Sequence, residues 1–414
     1  MQMPGKATIQ NVYGNKAGTE ARFENLSAQF TKNFGMTEME FFTAPGRTEI
    51  VGNHTDHNGG KVLAASIDMD TIGAACPNDS SVIEIISEGY PCKIVVDLAK
   101  IDEIPINQGT VSLVAGIVKG AEKFGYQVSG FCAYVSTEVI SSAGVSSSAS
   151  FEMLLCTMIN YFFNDNKIPY MDYARIGQFS ENQYWSKASG LMDQMACAVG
   201  GTILLDFQDG VKYEKVDFGY DKFGYEMVII NTGKGHADLS EEYSAVPNEM
   251  RAVAKCLGCT QLADTSMEAL LENLPKVERQ VRNDRAILRA FHFLNENARV
   301  EDLITAMDAK DSDKILHIIS ESGRSSWELL QNCYSLIDYK EQKISLALAL
   351  TEQFLNKIGD GCCRVHGGGF AGVIMCAVPK QHTDEYVAFI SKYFGTENVY
   401  PMNIRQVGAA HLEK

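Results

Sequence analysis

Five polar side chains that could bind a small ligand lie close together near the N-terminus. They are Arg47, Asn53, His54, Asp56 and His57, within the segment APGRTEIVGNHTDHNGGKVLAASID. Within the segment, Ile50 and Val51 on one side and VLAASI on the other flank the polar residues, which indicates a polar loop presented by buried strands, a common arrangement for a binding site. Two histidines around a carboxylate can bind a metal ion, but sugar-binding pockets use the same donors and acceptors. The segment therefore predicts a polar ligand site, for a sugar or, as the alternative, for a metal.

A run of small residues precedes a helical pattern near residue 150. The run contains Ser141, Ser142, Ala143, Gly144, Ser146, Ser147 and Ser148. Backbone N–H groups at a helix start have no intrahelical partners, and small residues let phosphate oxygens approach them. A serine N-cap is the simpler interpretation, but one cap does not need seven small residues. The run favours a phosphate-binding loop.

Two common nucleotide-binding patterns do not account for this loop. No G-x-x-x-x-G-K-[ST] occurs in the chain, so the loop is not the usual P-loop. A G-x-G-x-x-G match falls at Gly367, Gly369 and Gly372, but a β-branched apolar run follows it. A dinucleotide site needs a helix at that point, so the sequence argues against a Rossmann fold.

The hydrophobic pattern predicts which elements position these residues. Helices are expected at 109–125, 148–164 and 172–185, and strands at 130–140, 200–210 and 225–233. Helices dominate from 240 to 355, before a glycine-rich turn, an apolar strand, a helix at 383–395 and a final strand. The order predicts an α+β protein, and the length favours two domains, residues 1–205 and 206–414.

Composition excludes several classes of protein. The 414 residues carry a formal net charge of −16, which argues against a nucleic-acid partner. The N-terminus has no apolar block after a basic stretch, and no run of eighteen apolar residues occurs, so we expect a cytoplasmic protein without a membrane partner. The 11 cysteines fit buried reduced thiols, and the C-x-x-C at Cys256 and Cys259 lacks the second pair of a zinc site.

Five motifs in order resemble those of the GHMP small-molecule kinases, and specifically of the galactokinase family. Residues 46–60 are similar to the signature G-R-x-N-x-I-G-E-H-T-D-Y-N-G-G, and GVSSSAS to the nucleotide loop G-L-S-S-S-A-x. VHGGGFAG resembles T-G-G-G-F-G-G, GLMDQ resembles G-I-M-D-Q, and SEEY resembles S-x-E-Y. The resemblance implies a two-domain GHMP kinase fold with the active site in the cleft between the domains.

The resemblance also implies a role for each matching residue. Asp193 would be the catalytic aspartate and Arg47 its partner, with Asp193 either taking the proton of the sugar's anomeric hydroxyl or only orienting it. Ser148 and Glu181 would hold Mg²⁺; an exposed helix glutamate is the alternative for Glu181. The sugar would contact Asn53, His54, Asp56, Gly190 and Tyr243. The ATP phosphates would contact Gly144, Val145, Ser146, Ser147, Ser148, Gly367, Gly368 and Gly369.

A purely structural role stays open for several of these residues. Tyr243 could be a core aromatic on an amphipathic helix. Gly367 to Gly369 could form a plain turn, and Asp193 could be only a helix N-cap.

Departures from the family pattern put the sugar, more than the kinase class, in doubt. Asn53 stands where the family has a glutamate that receives the sugar's 6-hydroxyl, His57 where it has a tyrosine, and His366 where it has a threonine. The implied activity is ATP-dependent phosphorylation of a hexose, most simply galactose, at the anomeric hydroxyl. The alternatives are a kinase for galacturonate, N-acetylgalactosamine or a related sugar, and a non-catalytic galactose and ATP sensor. A monomer or weak homo-oligomer is expected.

Overall fold

The computed structural model describes residues 2–141, 144–186, 189–233, 239–370 and 372–414. Ser142 and Ala143 of the small-residue run, and residue 371 of the third motif, lie outside the described residues. The strands are β1 (Glu40–Val51), β2 (Lys61–Pro77), β3 (Val82–Ser87), β4 (Ile94–Asp97), β5 (Phe131–Thr137), β6 (Thr202–Asp206), β7 (Lys212–Val216), β8 (Tyr225–Asn231), β9 (Cys362–His366), β10 (Val373–Pro379), β11 (Val399–Met402) and β12 (Ala410–Leu412). The helices are α1 (Lys6–Tyr13), α2 (Thr19–Phe34), α3 (Thr110–Lys123), α4 (Ser147–Phe163), α5 (Tyr170–Tyr184), α6 (Met192–Val199), α7 (Ser240–Cys256), α8 (Met267–Val281), α9 (Asp284–Asp308), α10 (Ser312–Ser325), α11 (Lys343–Ile358) and α12 (Thr383–Phe394).

The first sheet is built around two long strands, β1 and β2. Its order is β12-β1-β2-β5-β3-β4, with β6 on β2 and β7 on β6, and its β3–β5 pair is parallel. Residues alternate between its faces, as strand geometry requires. Phe41 packs with Phe23 of α2, whereas Phe42 packs with α3 and α4 on the opposite face. Helices therefore cover both faces, and the sheet holds β1 and its following loop firmly.

The second sheet is antiparallel, in the order β11-β8-β10-β9. Met227 and Ile229 face the first sheet and share a core with Ile50 and Leu63. Val228 and its neighbours on the other face pack against α11 and α12. The end of β1 thus lies in a core formed by both sheets.

The predicted α+β class is confirmed, and so are most of the predicted elements. α3, α4 and α5 lie at the helical patterns, and β5, β6 and β8 at the strand patterns. The division at residue 205 stays a prediction; two strands beyond it, β7 and β12, pair within the first sheet. None of the helices in the described ranges is both long and apolar enough to cross a membrane.

Candidate active site

A cavity of about 220 Å³ brings together residues from both halves of the chain. Fourteen residues line it: Arg47, Glu49, Asn53, His54, Asp56, His57, Ser189, Gly190, Met192, Asp193, Gln194, Tyr243, Gly367 and Gly368. All predicted sugar-contacting residues, the predicted catalytic pair and two of the predicted glycines are among them. Most of the other predicted residues are joined to cavity residues by the contacts described below, and Ser147 is the first residue of α4.

Asp193 lies at the centre of the arrangement. Its Oδ1 accepts a hydrogen bond from Arg47 Nε at 2.7 Å, and its Oδ2 accepts one from the Ser146 hydroxyl. Asp193 is in the first turn of α6, whose N-cap residue is Leu191, so the N-cap alternative is wrong. The carboxylate therefore joins strand β1 to the start of α4.

In the ion pair of Arg47 with Asp193, Arg47 is the more deeply buried side chain. It lies on β1, is 6% exposed, and donates from Nη1 to the Gly144 carbonyl; its backbone N–H donates to the Val145 carbonyl at 3.1 Å. Burial favours loss of the charge, but the charge of Asp193 and its hydrogen bond outweigh burial and raise the pKa of Arg47. Arg47 stays a cation and ties the small-residue loop to the sheet.

The start of α4 is open to an anion. Ser146 is its N-cap residue with φ at 61°, yet its side chain makes no capping hydrogen bond and donates to Asp193 instead. The first turn contains no acidic residue. Because the N-cap side chain leaves the first N–H groups untouched, the helix dipole and these donors favour a negative ligand beside Ser147 and Ser148.

A serine in the same first turn of α4 contacts a carboxylate of α5. Ser148 Oγ donates to Glu181 Oε1 at 2.9 Å, and Glu181 Oε2 accepts from Ser189 Oγ and, at 3.3 Å, from Gln194 Nε2. Glu181 is 1% exposed, so the interpretation as an exposed helix residue is wrong. These three donors are uncharged, and hard oxygen ligands beside an anion site suit Mg²⁺. The pair fits the predicted ion.

The alternative metal site at His54, Asp56 and His57 gains no support. Within the described part of the chain, no three His, Cys, Asp or Glu side chains are grouped so that they could hold a metal ion. His57 Nε2 lies 3.5 Å from Asp56 Oδ1, and His54 turns to a backbone carbonyl.

Asn53 lines the cavity but uses its amide within the protein. Its Nδ2 donates to Glu49 Oε1 at 3.0 Å and to the Gly367 carbonyl at 2.7 Å. Its Oδ1 accepts from Asn332 Nδ2 at 2.8 Å and from Ser326 Oγ at 3.4 Å. An amide offers two donors and one acceptor oxygen with two lone pairs, so its capacity is filled.

His54 keeps one acceptor for a ligand. Nε2 lies 2.9 Å from the Gly368 carbonyl, which fixes the proton on that nitrogen. Burial, with His57 as the next cause, lowers the pKa of His54 to about 3, so the ring is neutral. Nδ1 is buried and has no hydrogen-bond partner among the described residues. A ligand hydroxyl could satisfy it, since such buried groups are normally paired.

Asp56 and Gly190 approach each other closely. A Cβ added at Gly190 would lie 2.7 Å from Asp56 Oδ2, too close for any other residue type to fit without movement. Tyr243 on α7 lies across the cavity, and its hydroxyl donates to the Gly369 carbonyl at 2.9 Å. A Cβ at Gly368 would meet the Tyr243 ring at 2.4 Å. Gly368 therefore has a role beyond forming a turn. Its lack of a side chain leaves room for the Tyr243 ring, which lines the cavity.

Most of this chain is similar to known proteins in sequence and in fold. The galactokinase galactose-binding signature matches residues 28–77, and the GHMP kinases N terminal domain matches residues 112–201. A galactokinase of Clostridium tetani is 27% identical over 373 residues, 89% of this chain and 91% of that protein. One of Lactococcus lactis (strain IL1403) is 28% identical over 393 residues, 93% and 95% of the two chains. The crystal structure of Lactococcus lactis galactokinase complexed with galactose has a TM-score of 0.81 at 26% identity, and covers 94% of this chain and 99% of that one.

Most of this chain is thus similar to galactokinases, and part of it to the N terminal domain of the GHMP kinases. The predicted GHMP kinase fold is thereby confirmed.

Sequence reasoning missed several residues that line this cavity or hold its lining in place. Glu49 lines it, and Arg364 donates to Glu49 at 2.8 Å. From α9, Glu296 accepts the backbone N–H of residues 52 and 53, at 3.0 and 3.2 Å, and His292 lies 2.9 Å from the Asn53 carbonyl. Only Glu49 had a signal in the sequence: two residues after Arg47 on a strand, it must face the same side.

Proposed function

We propose that this protein is a galactokinase that transfers the γ-phosphoryl group of ATP to the anomeric hydroxyl of galactose. The observation that carries the proposal is the contact of Asp193 with both Arg47 and Ser146. This contact joins a polar cavity of about 220 Å³ to the anion-binding start of α4. A phosphoryl group held at the helix would therefore face a hydroxyl held in the cavity.

The phosphate end of the site consists of residues 144–148 with Glu181. Its backbone N–H groups and the α4 dipole favour the ATP phosphates, and Ser148 with Glu181 would hold Mg²⁺. The ion supplies neutralisation of the charge on the transferred phosphoryl oxygens. Gly367 to Gly369 lie across the site, where small residues let the backbone come close to the substrates.

Transfer also requires an acceptor oxygen that is oriented and relieved of its proton. Asp193 is within reach of both the cavity and residues 144–148, and it serves either as the general base or as an orienting acceptor. Arg47, buried and charged, holds this carboxylate in one position and places a positive charge beside the developing negative charge.

The sugar end of the site consists of Glu49, Asn53, His54, Asp56 and Tyr243. Asp56 and the unpaired His54 Nδ1 are acceptors for sugar hydroxyls, and a site that must pair its buried polar groups discriminates between epimers. Galactose is the sugar favoured by the family and by the structural match. A cytoplasmic location, with sugar and MgATP as the partners, is part of the proposal.

The test is a coupled assay of ADP release with MgATP over galactose, glucose, arabinose, galacturonate and N-acetylgalactosamine. We expect sugar-dependent ADP release that is highest with galactose, and galactose 1-phosphate as the product by ³¹P NMR. Absence of ADP release with every sugar, together with measurable binding of galactose and ATP, would instead support the sensor. Absence of both turnover and binding would refute the family assignment of the site.

A further inference from the structure

Glu49 is a buried side chain that lines the cavity. It is 3% exposed and lines the cavity with Asn53 and His54. Its Oε1 accepts from Arg364 Nη2 at 2.8 Å and from Asn53 Nδ2 at 3.0 Å. Its Oε2 accepts no hydrogen bond from any residue in the described ranges. The first oxygen is thus anchored, while the second is available to a ligand.

The position of Glu49 fixes which part of a sugar it could meet. Arg47 and Glu49 pair with Ser66 and Ala64 on β2 in uninterrupted register, so their side chains point to the same face of β1. Two residues along a strand span about 7 Å, roughly the length of a hexose. If the anomeric hydroxyl lies at Arg47 and Asp193, Glu49 lies at the remote end of the sugar.

Asn53 works here as a support for Glu49. All its hydrogen-bonding capacity is taken by protein atoms, so it has none left for a substrate. The family signature has asparagine at the position of Glu49 and glutamate at that of Asn53, so the two residue types are exchanged in this chain. The exchange keeps one carboxylate and one amide in contact but moves the carboxylate onto β1.

The charges around Glu49 favour a neutral substrate group. Arg364, fully buried, already donates to Glu49 and to the carbonyls of Ile50 and Val365. A sugar carboxylate would lie beside Glu49 without a cation of its own, which is costly in a buried site. A hydroxyl would instead donate to Glu49 Oε2.

We propose that Glu49, supported by Asn53, is the specificity-determining residue that accepts the sugar's 6-hydroxyl and excludes 6-carboxylate sugars. The inference rests on the proposed function for the orientation of the sugar. It replaces the expectation that loss of the glutamate at position 53 opens the site to galacturonate.

The test compares galactose, 6-deoxygalactose and galacturonate as substrates, and as ligands by calorimetry. For the unmodified protein we expect galactose to bind and react at least about tenfold better than 6-deoxygalactose, since the missing hydroxyl leaves a buried acceptor unpaired. Galacturonate should not react. Equal use of galactose and 6-deoxygalactose, or turnover of galacturonate, would overturn the proposal without any variant.

Variants of Glu49 and Asn53 test whether the preference for galactose over 6-deoxygalactose depends on Glu49. Glu49→Gln should raise KM for galactose about tenfold but change KM for 6-deoxygalactose by less than about twofold, with KM for ATP unchanged. The double exchange Glu49→Asn with Asn53→Glu should regain the preference for galactose, whereas Asn53→Glu alone, which sets two carboxylates together, should not. Equal losses for both sugars in Glu49→Gln would overturn the role of Glu49.

A matched control variant and the calorimetric measurement of sugar binding distinguish failure of this inference from failure of the proposed function. Glu40→Gln removes a carboxylate from the same strand that pairs with His411 and Lys414 at 2.8 Å, away from the cavity, and should leave the sugar preference unchanged. If no sugar is phosphorylated, the proposed function fails. Calorimetry of galactose against 6-deoxygalactose then still decides whether Glu49 reads the hydroxyl.

Discussion

The phosphate end is held by contacts between residues near in sequence, whereas the sugar end is held by contacts across the chain. Ser148 and Glu181 are 33 positions apart, and Ser146 and Asp193 are 47 apart. Asn53, by contrast, contacts residues 239 to 314 positions away. Residues 144–193 therefore supply most contacts of the phosphate end, whereas the sugar end depends on contacts with the second half of the chain. The two functions can vary separately.

The largest effect is expected where the two ends meet. Asp193→Asn keeps the shape of the side chain but removes the charge paired with Arg47, so kcat should fall about 10³-fold, within the usual range for loss of an acid–base group. ATP binding by calorimetry should persist, because Ser148, Glu181 and the backbone N–H groups at the start of α4 are unchanged. Full activity in this variant would refute the role of Asp193.

A large effect confined to the phosphate end is expected for Glu181→Gln. The neutral side chain should weaken Mg²⁺ binding and lower activity on the order of 100-fold at limiting Mg²⁺, with KM for the sugar unchanged. Glu152→Gln is the matched control, because Glu152 also contacts Gln194, at 3.1 Å, but is not the carboxylate that Ser148 contacts. An identical Mg²⁺ dependence in both variants would contradict the assignment.

A stability effect from the sugar end is expected for Glu296→Gln. Burial raises the pKa of Glu296, but His292, Arg364 and Arg299 together lower it to about 2. Because the pKa of Glu296 is lower in the folded protein than in the unfolded chain, its charge stabilises the fold at pH values above about 4.5. This stabilisation is lost as the pH falls from 4.5 towards 2. At about 1.4 kcal/mol per pKa unit it amounts to roughly 3 kcal/mol.

Urea unfolding at several pH values measures this contribution. The variant should be less stable at pH 7, and its deficit should shrink below about pH 4.5. KM for galactose should rise with little change in KM for ATP, since Glu296 holds the backbone of residues 52 and 53. A deficit that is independent of pH would contradict a stabilising role for the charge of Glu296.

The smallest effect is expected for Gly190→Ala. The added Cβ would displace Asp56, so KM for the sugar should rise roughly tenfold, equivalent to about 1.4 kcal/mol, while KM for ATP serves as the internal control. Steady-state kinetics with each substrate varied in turn measures both. An equal change in the two KM values would mean that the sugar end and the phosphate end do not bind their substrates independently.

The same contrast explains what could be predicted from the sequence. Helix α4, its serine-rich start and the β1–β2 loop follow from local patterns, and the motifs single out Arg47, Asp193 and Glu181, which the structure places close together. The filled amide of Asn53 could not be predicted, because its partners other than Glu49 come from two distant segments, residues 326–332 and Gly367. No local pattern links α9 to residues 52 and 53. Tertiary docking decides these contacts.

Whether Asp193 lies between the two substrates can be observed in a crystal structure with galactose, Mg²⁺ and a non-hydrolysable ATP analogue. We expect the γ-phosphoryl group at residues 144–148, with the anomeric hydroxyl in line with it and within hydrogen-bonding distance of Asp193. A nucleotide bound away from that loop, or a sugar whose anomeric hydroxyl points away from Asp193, would show that the two ends do not form one transfer site.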